Sequence, residues 1–159
     1  VSKNLMASIY SVRNNFEIVR SGWRDASEFP DEYIANKKPG PKDPETEADA
    51  LWSLYKNRLS PLTEAMNKLD VCLLEAEALW GASIKEQGRS INSCYNLLVI
   101  SIKNLIAEEY RGNYGEPSEA LEIYKSHVIE SRNSSDELSA KLNEAIEFFE
   151  RITKKHLGK

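Results

Sequence analysis

The chain holds two histidines, His127 and His156, and two cysteines, Cys72 and Cys94, so imidazole or thiolate chemistry has only these four side chains to draw on. Arg151 stands five residues before His156 in Arg151-Ile152-Thr153-Lys154-Lys155-His156. That spacing offers a cation for a phosphate beside an acid/base group. It equally suits basic residues completing a helix C-terminus, where the macrodipole favours positive charge. Carboxylates recur at three-residue spacing in Glu116, Glu119 and Glu122, and again in Glu144, Glu147 and Glu150. Each set falls on one helix face. Neither histidine follows a glutamate by three residues, since Tyr124 and Thr153 stand there. The Glu-x-x-His pair of carboxylate-bridged metal bundles is therefore missing. No glycine begins a Gly-x-x-x-x-Gly-Lys phosphate loop. Cys72 and Cys94 have apolar neighbours (Val71 and Leu73; Tyr95 and Leu97) and are expected to be buried, reduced thiols. A turn near Gly81 would put them at similar heights on adjacent antiparallel helices, which leaves an oxidised pair as a second expectation. On these residues no catalytic group, cofactor or metal is assigned, and the chain is read as non-enzymatic.

Three resemblances bear on the same residues. The Arg-x4-His spacing of Arg151 and His156 resembles that of the HEPN ribonucleases, also helical bundles of similar length. The resemblance implies that both residues act on a scissile phosphate at a dimer cleft, with RNA as substrate, or that the chain is an inactive relative. Ile152 departs from the polar residue usual after that arginine. The Glu-x-x-Glu runs resemble the magnesium-holding motif of all-α nucleotide pyrophosphohydrolases. The downstream Glu-x-x-Asp of that family is lacking, since Glu28 to Asp31 lies upstream. Finally, the run from Leu69 to Gly81, with Ile9 to Asn14 and Ala145 to Glu150, resembles uncharacterised bacterial proteins with one N-terminal membrane helix before a helical domain. That likeness implies a cytoplasmic domain tethered to the inner membrane through a segment upstream of Val1.

The elements that must position these groups are written in the apolar pattern. Ala48, Trp52, Tyr55, Leu59, Leu62, Met66, Leu69, Leu73, Ala76 and Trp80 alternate four- and three-residue steps, the period of one stripe on a long helix. A helix over 44–81 is predicted, with Asp43, Glu45, Glu47 and Asp49 around its start, a kink at Pro61 and a stop at Gly81. Leu5, Ile9, Val12, Phe16, Val19 and Trp23 keep the same steps and predict a helix over 2–26. Between them, 28–44 holds four of the six prolines and reads as an extended surface connection. Ser83-Ile84-Lys85-Glu86 has the form of a capping box with Ser83 as cap, opening a helix over 83–111 along Ile84, Ile91, Tyr95, Leu98, Ile102 and Leu105. Gly88 falls in phase on that face, where it permits close approach of a neighbour. After a loop at Arg111–Pro117 come helices over 118–130 and 135–157, with continuity between these two left open. Trp23, Trp52 and Trp80 are expected in the core.

The expected fold is all-α: a single domain over 1–159, an antiparallel four-helix bundle built on one long Pro-kinked helix and a long helical hairpin. A formal charge of −4 argues against a dedicated nucleic-acid binder, so DNA is excluded and RNA enters only with the ribonuclease alternative. No apolar run exceeds four residues, far short of the roughly 20 that span a bilayer. The leading functional expectation is a helical interaction domain that binds a protein partner or itself.

Overall fold

Leu5, Ile9, Val12, Phe16 and Val19 share one side of a helix, and in the computed structural model that side is buried along α1 (Ser2–Val19). The structure describes residues 1–36, 43–111, 119–129 and 136–157, and every regular element among them is helical. A single 3₁₀ turn (Ala26–Glu28) and the short α2 (Asp31–Ala35) lead to α3 (Pro44–Trp80). Then come α4 (Ser83–Ile106), ending in a wider π-type turn (Ala107–Arg111), α5 (Glu119–Val128) and α6 (Glu137–Leu157).

The 37 residues of α3 make a rod about 55 Å long. Asp43 caps it by accepting from the Thr46 N–H, Pro44 occupies the first turn where no N–H is needed, and Glu45 and Glu47 face the positive end of the dipole. Pro61 lies inside the helix without ending it. Its ring is exposed, and so is Asn57, whose carbonyl loses its helical donor and can take one from water. The predicted seam is buried except at Trp52 and Trp80, which are half-buried. Gly81 closes the helix at φ 92°, a backbone conformation that side chains disfavour. Ser83 does not cap α4: Ala82 holds that place without a side-chain bond, and Ser83 is the first helical residue. A Cβ at Gly88 would lie 2.7 Å from Leu73 Cδ1, so this glycine lets α3 and α4 approach closely.

Two other expectations are corrected. Helix α1 stops at Val19 rather than near Ala26, and Trp23 is 79 % exposed rather than in the core. The stretch 28–44 is not one extended connection, since α2 forms inside it. Residues 37–42 and 112–118, which include part of the predicted 28–44 connection and most of the Arg111–Pro117 loop, lie outside the described residues.

Helix α1 packs against α3 and α6, α4 packs against the same two, and α5 lies on α4. Tyr10 meets Glu150 and Arg20 meets Ser139, so α1 and α6 run in opposite directions. Ser8 faces Cys72, which sets the start of α1 beside the end of α3. Trp80 and His156 stack at 4.8 Å and 3°, which joins the C-terminal ends of α3 and α6. A continuous cluster of apolar side chains from α1, α3, α4, α5 and α6 forms the core.

Both cysteines are unpaired. Cys72 is half-buried, with its Sγ 3.9 Å from Ser8 Oγ, whereas Cys94 is 1 % exposed and burial pushes its thiol up. A buried thiol that resists ionisation is a poor nucleophile. In the native chain an aromatic disulfide reagent is therefore expected to modify Cys72 at least tenfold faster than Cys94, with both equal in denaturant. Equal native rates would contradict the burial of Cys94.

Candidate functional site

Burying a guanidinium is costly unless its donors are met, so the two buried arginines among the described residues mark where the sequence has been organised most closely. Arg20 is 3 % exposed and Arg58 is 8 % exposed. Each stands one residue from an apolar stripe position, beside Val19 and Leu59 respectively. Neither was marked by residue spacing, because every partner lies far away in sequence; a charged residue at the margin of an apolar stripe is the one signal available.

Arg20 follows the last turn of α1. Its Nε donates to His127 O at 2.8 Å and its Nη2 to Ser126 O at 3.1 Å, carbonyls of the last turn of α5. Its Nη1 donates to Ser139 Oγ at 2.7 Å, and Nη2 pairs with Asp136 Oδ1 at 2.9 Å. Asp136 is itself the N-cap of α6, accepting from the Ser139 N–H at 2.8 Å and from Ser139 Oγ at 2.9 Å. Burial alone would push the Asp136 carboxyl up; the Ser139 N–H, Arg20 and the Ser139 hydroxyl outweigh it and hold the group below its ordinary value. The ends of α1, α5 and α6 thus meet on one guanidinium.

Next to this cluster Ser101 Oγ and His127 Nδ1 lie 3.0 Å apart. Serine, histidine and aspartate are the residue types of a hydrolytic triad, but the geometry is structural. Asp136 engages Arg20 and Ser139, and Ser101 is 1 % exposed in the closed fold. A cleft between α1 and α6, lined in part by Arg13, Phe16, Arg20 and Leu142, has about 40 Å³ of room for water. That holds a few water molecules, against the roughly 300 Å³ or more of sites for organic ligands.

Arg58 organises the second cluster from the middle of α3. Its Nη1 donates to Ser21 O at 2.8 Å and to Ile18 O at 3.4 Å, and its Nη2 donates to Trp23 O. The remaining fork grips both oxygens of Glu28, Nη2 to Oε1 at 2.8 Å and Nε to Oε2. This contact, above all, holds the Glu28 carboxyl below its ordinary range. Glu28 Oε1 also accepts from the Asp25 N–H at 2.9 Å while Asp25 accepts from the Ser27 N–H at 2.9 Å, a capping box around the 3₁₀ turn. Further along, Phe29 stacks on Tyr33 at 5.2 Å, and the Tyr33 hydroxyl donates to Glu47 at 2.8 Å. The Ile18 carbonyl at the end of α1 and the Ser21 and Trp23 carbonyls beyond it thus converge on Arg58, and the segment after α1 is fastened along α3. Trp23 is carried outward on it, its own N–H donating to Ser21 Oγ at 3.3 Å.

The residues singled out by spacing are not gathered into a site. Arg151 and His156 are both exposed on α6, and five helical steps separate them by about 140° around the axis. The His156 ring is engaged on Trp80. Glu144 and Glu147 are exposed, while Glu150 accepts the Tyr10 hydroxyl at 2.8 Å. Glu122 lies 3.7 Å from Lys125, and Glu116 is outside the described residues. Among the described residues no group of three or more His, Cys, Asp or Glu side chains could hold a metal ion. Among them too, no helix is long and apolar enough to cross a membrane. Compared with known proteins, the chain matches no family model, no curated protein and no solved structure.

Proposed function

We propose that this chain is a non-enzymatic interaction domain, built as a single antiparallel four-helix bundle of α1, α3, α4 and α6, whose recognition element is the segment carrying Trp23. The bundle reading is supported by the cycle of pairings α1–α3–α4–α6–α1, which encloses the apolar cluster. The functional reading rests on one observation. Trp23 is 79 % exposed, yet its carbonyl is held by Arg58 and its N–H by Ser21. Tryptophan is on average among the well-buried residues and is enriched among the anchors of protein interfaces. An aromatic side chain whose backbone is already fixed loses little further freedom on binding. Ile18, 56 % exposed five residues before it, adds apolar surface to the same stretch. No group in the arginine clusters combines reactivity with access, which leaves binding as the use of this surface. The membrane tether rests on the sequence resemblance alone, and no part of this proposal depends on it.

A photoreactive group placed at Ser27 tests the reading in extracts of the native host. One partner should be captured saturably, and unlabelled wild-type chain should compete at least tenfold better than a Trp23→Ser chain. Because Trp23 is so exposed, that variant should keep its stability to within about 0.5 kcal/mol. Unsaturable capture, or equal competition by both chains, would remove Trp23 as the anchor.

A further inference from the structure

We propose that α5 is a strap that opens from α4 as a unit while the rest of the fold stays closed. The helix has ten residues, below the length of about 12–15 at which an isolated helix is even marginal in water. Two of them, His127 and Val128, are buried, against seven along α6. Leu121 and Tyr124 add half-buried contacts with the core, while Ile123 is 49 % exposed.

The polar fastenings of α5 are concentrated at its C-terminal end. Arg20 takes the carbonyls of Ser126 and His127, and His127 Nδ1 meets Ser101 Oγ on α4. These bonds can be exchanged for water without stranding the guanidinium. When α5 leaves, Arg20 keeps Asp136 and Ser139, so the junction of α1 with α6 survives the opening. The reverse does not hold: separating α1 from α6 would leave a buried ion pair unmatched, which is far more costly. Opening uncovers the α4 surface at Ser101, a residue otherwise 1 % exposed. A unit with few buried apolar contacts and water-exchangeable fastenings belongs at the low end of the opening scale within a fold.

Amide hydrogen exchange on the full chain tests this. In the wild type, amides over 123–128 should exchange at least tenfold faster than those over 142–153 in α6, after correction for intrinsic rates. His127→Ala should speed the α5 amides about tenfold more and leave α1, α3 and α6 unchanged. Exchange of α5 at the α6 rate in the wild type would overturn the proposal. So would a His127→Ala effect shared equally by α5 and α6. The wild-type comparison decides the matter even if the variant fails to fold.

Discussion

Replacing Arg20 by Met is expected to lower the stability of the fold by about 3–5 kcal/mol, the cost of breaking one side of a buried ion pair. The loss comes from what is left behind. Asp136, 6 % exposed at its side chain, would keep a charge without its counter-ion, and the Ser126 and His127 carbonyls would lose their donor. Against a total stability of roughly 5–15 kcal/mol, this is the most damaging conservative-volume change the structure identifies. Arg20→Lys should recover less than half, because a point ammonium cannot reach acceptors on two helix ends as the planar fork does. The pH dependence carries a sign. Asp136 is held below its ordinary value, so its contribution is complete above the unfolded carboxyl pKa of about 3.9 and is lost as pH falls through the folded value. The difference between wild type and Arg20→Met should therefore shrink in acid below about pH 4. Urea melts at pH 7 and pH 3 measure both effects. A deficit under about 1 kcal/mol at pH 7 would mean that the pair contributes no more than a surface salt bridge.

Arg58→Ala is expected to cost about 2–3 kcal/mol, less than the Arg20 change because one of its partners can return to water. The Glu28 side chain is 26 % exposed and can be rehydrated, but the carbonyls of Ile18, Ser21 and Trp23 lose a shared donor. For a chain of this size such a loss lowers Tm by roughly 5–10 °C. The local consequence should exceed the global one. Without Arg58 the Trp23 carbonyl loses its guanidinium donor, and trypsin should cut after the exposed Arg24 well before any site inside α3 or α6. A Tm within 2 °C of wild type together with unchanged cleavage at Arg24 would contradict the role given to Arg58.

Much of this architecture was legible from residue types and spacing because helix-forming stripes are local. The four-three beat from Ala48 to Trp80 marked α3 through its interior proline, and Gly81 marked the turn into α4. What escaped was long-range and polar. The step from Val19 to Trp23 keeps the beat, yet the helix ends at Val19, and the chain beyond it is held instead by Arg58, some forty residues later, through the Ile18, Ser21 and Trp23 carbonyls. Arg20, His127, Asp136 and Ser139 come together across more than a hundred residues, with no fixed spacing to reveal them. Ser-x-x-Glu reads locally as a capping box with Ser83 just outside the helix, whereas the backbone after Gly81 begins the helix one residue earlier, with Ala82 at the cap. The spacing of Arg151 and His156 suggests a phosphate site, whereas the His156 ring packs on Trp80.

Arg58 turns the segment after α1 into a rigid mount for an exposed tryptophan. The most direct measurement is ¹⁵N relaxation of the backbone amides over 21–25 in the wild-type chain and in Arg58→Lys. In the wild type these amides should have order parameters near 0.85, like the helices, and in Arg58→Lys they should fall below about 0.6 while α3 stays rigid. Order parameters already below about 0.6 in the wild type would contradict the claim, since Trp23 would then be carried on a mobile loop with no ordered backbone to present it.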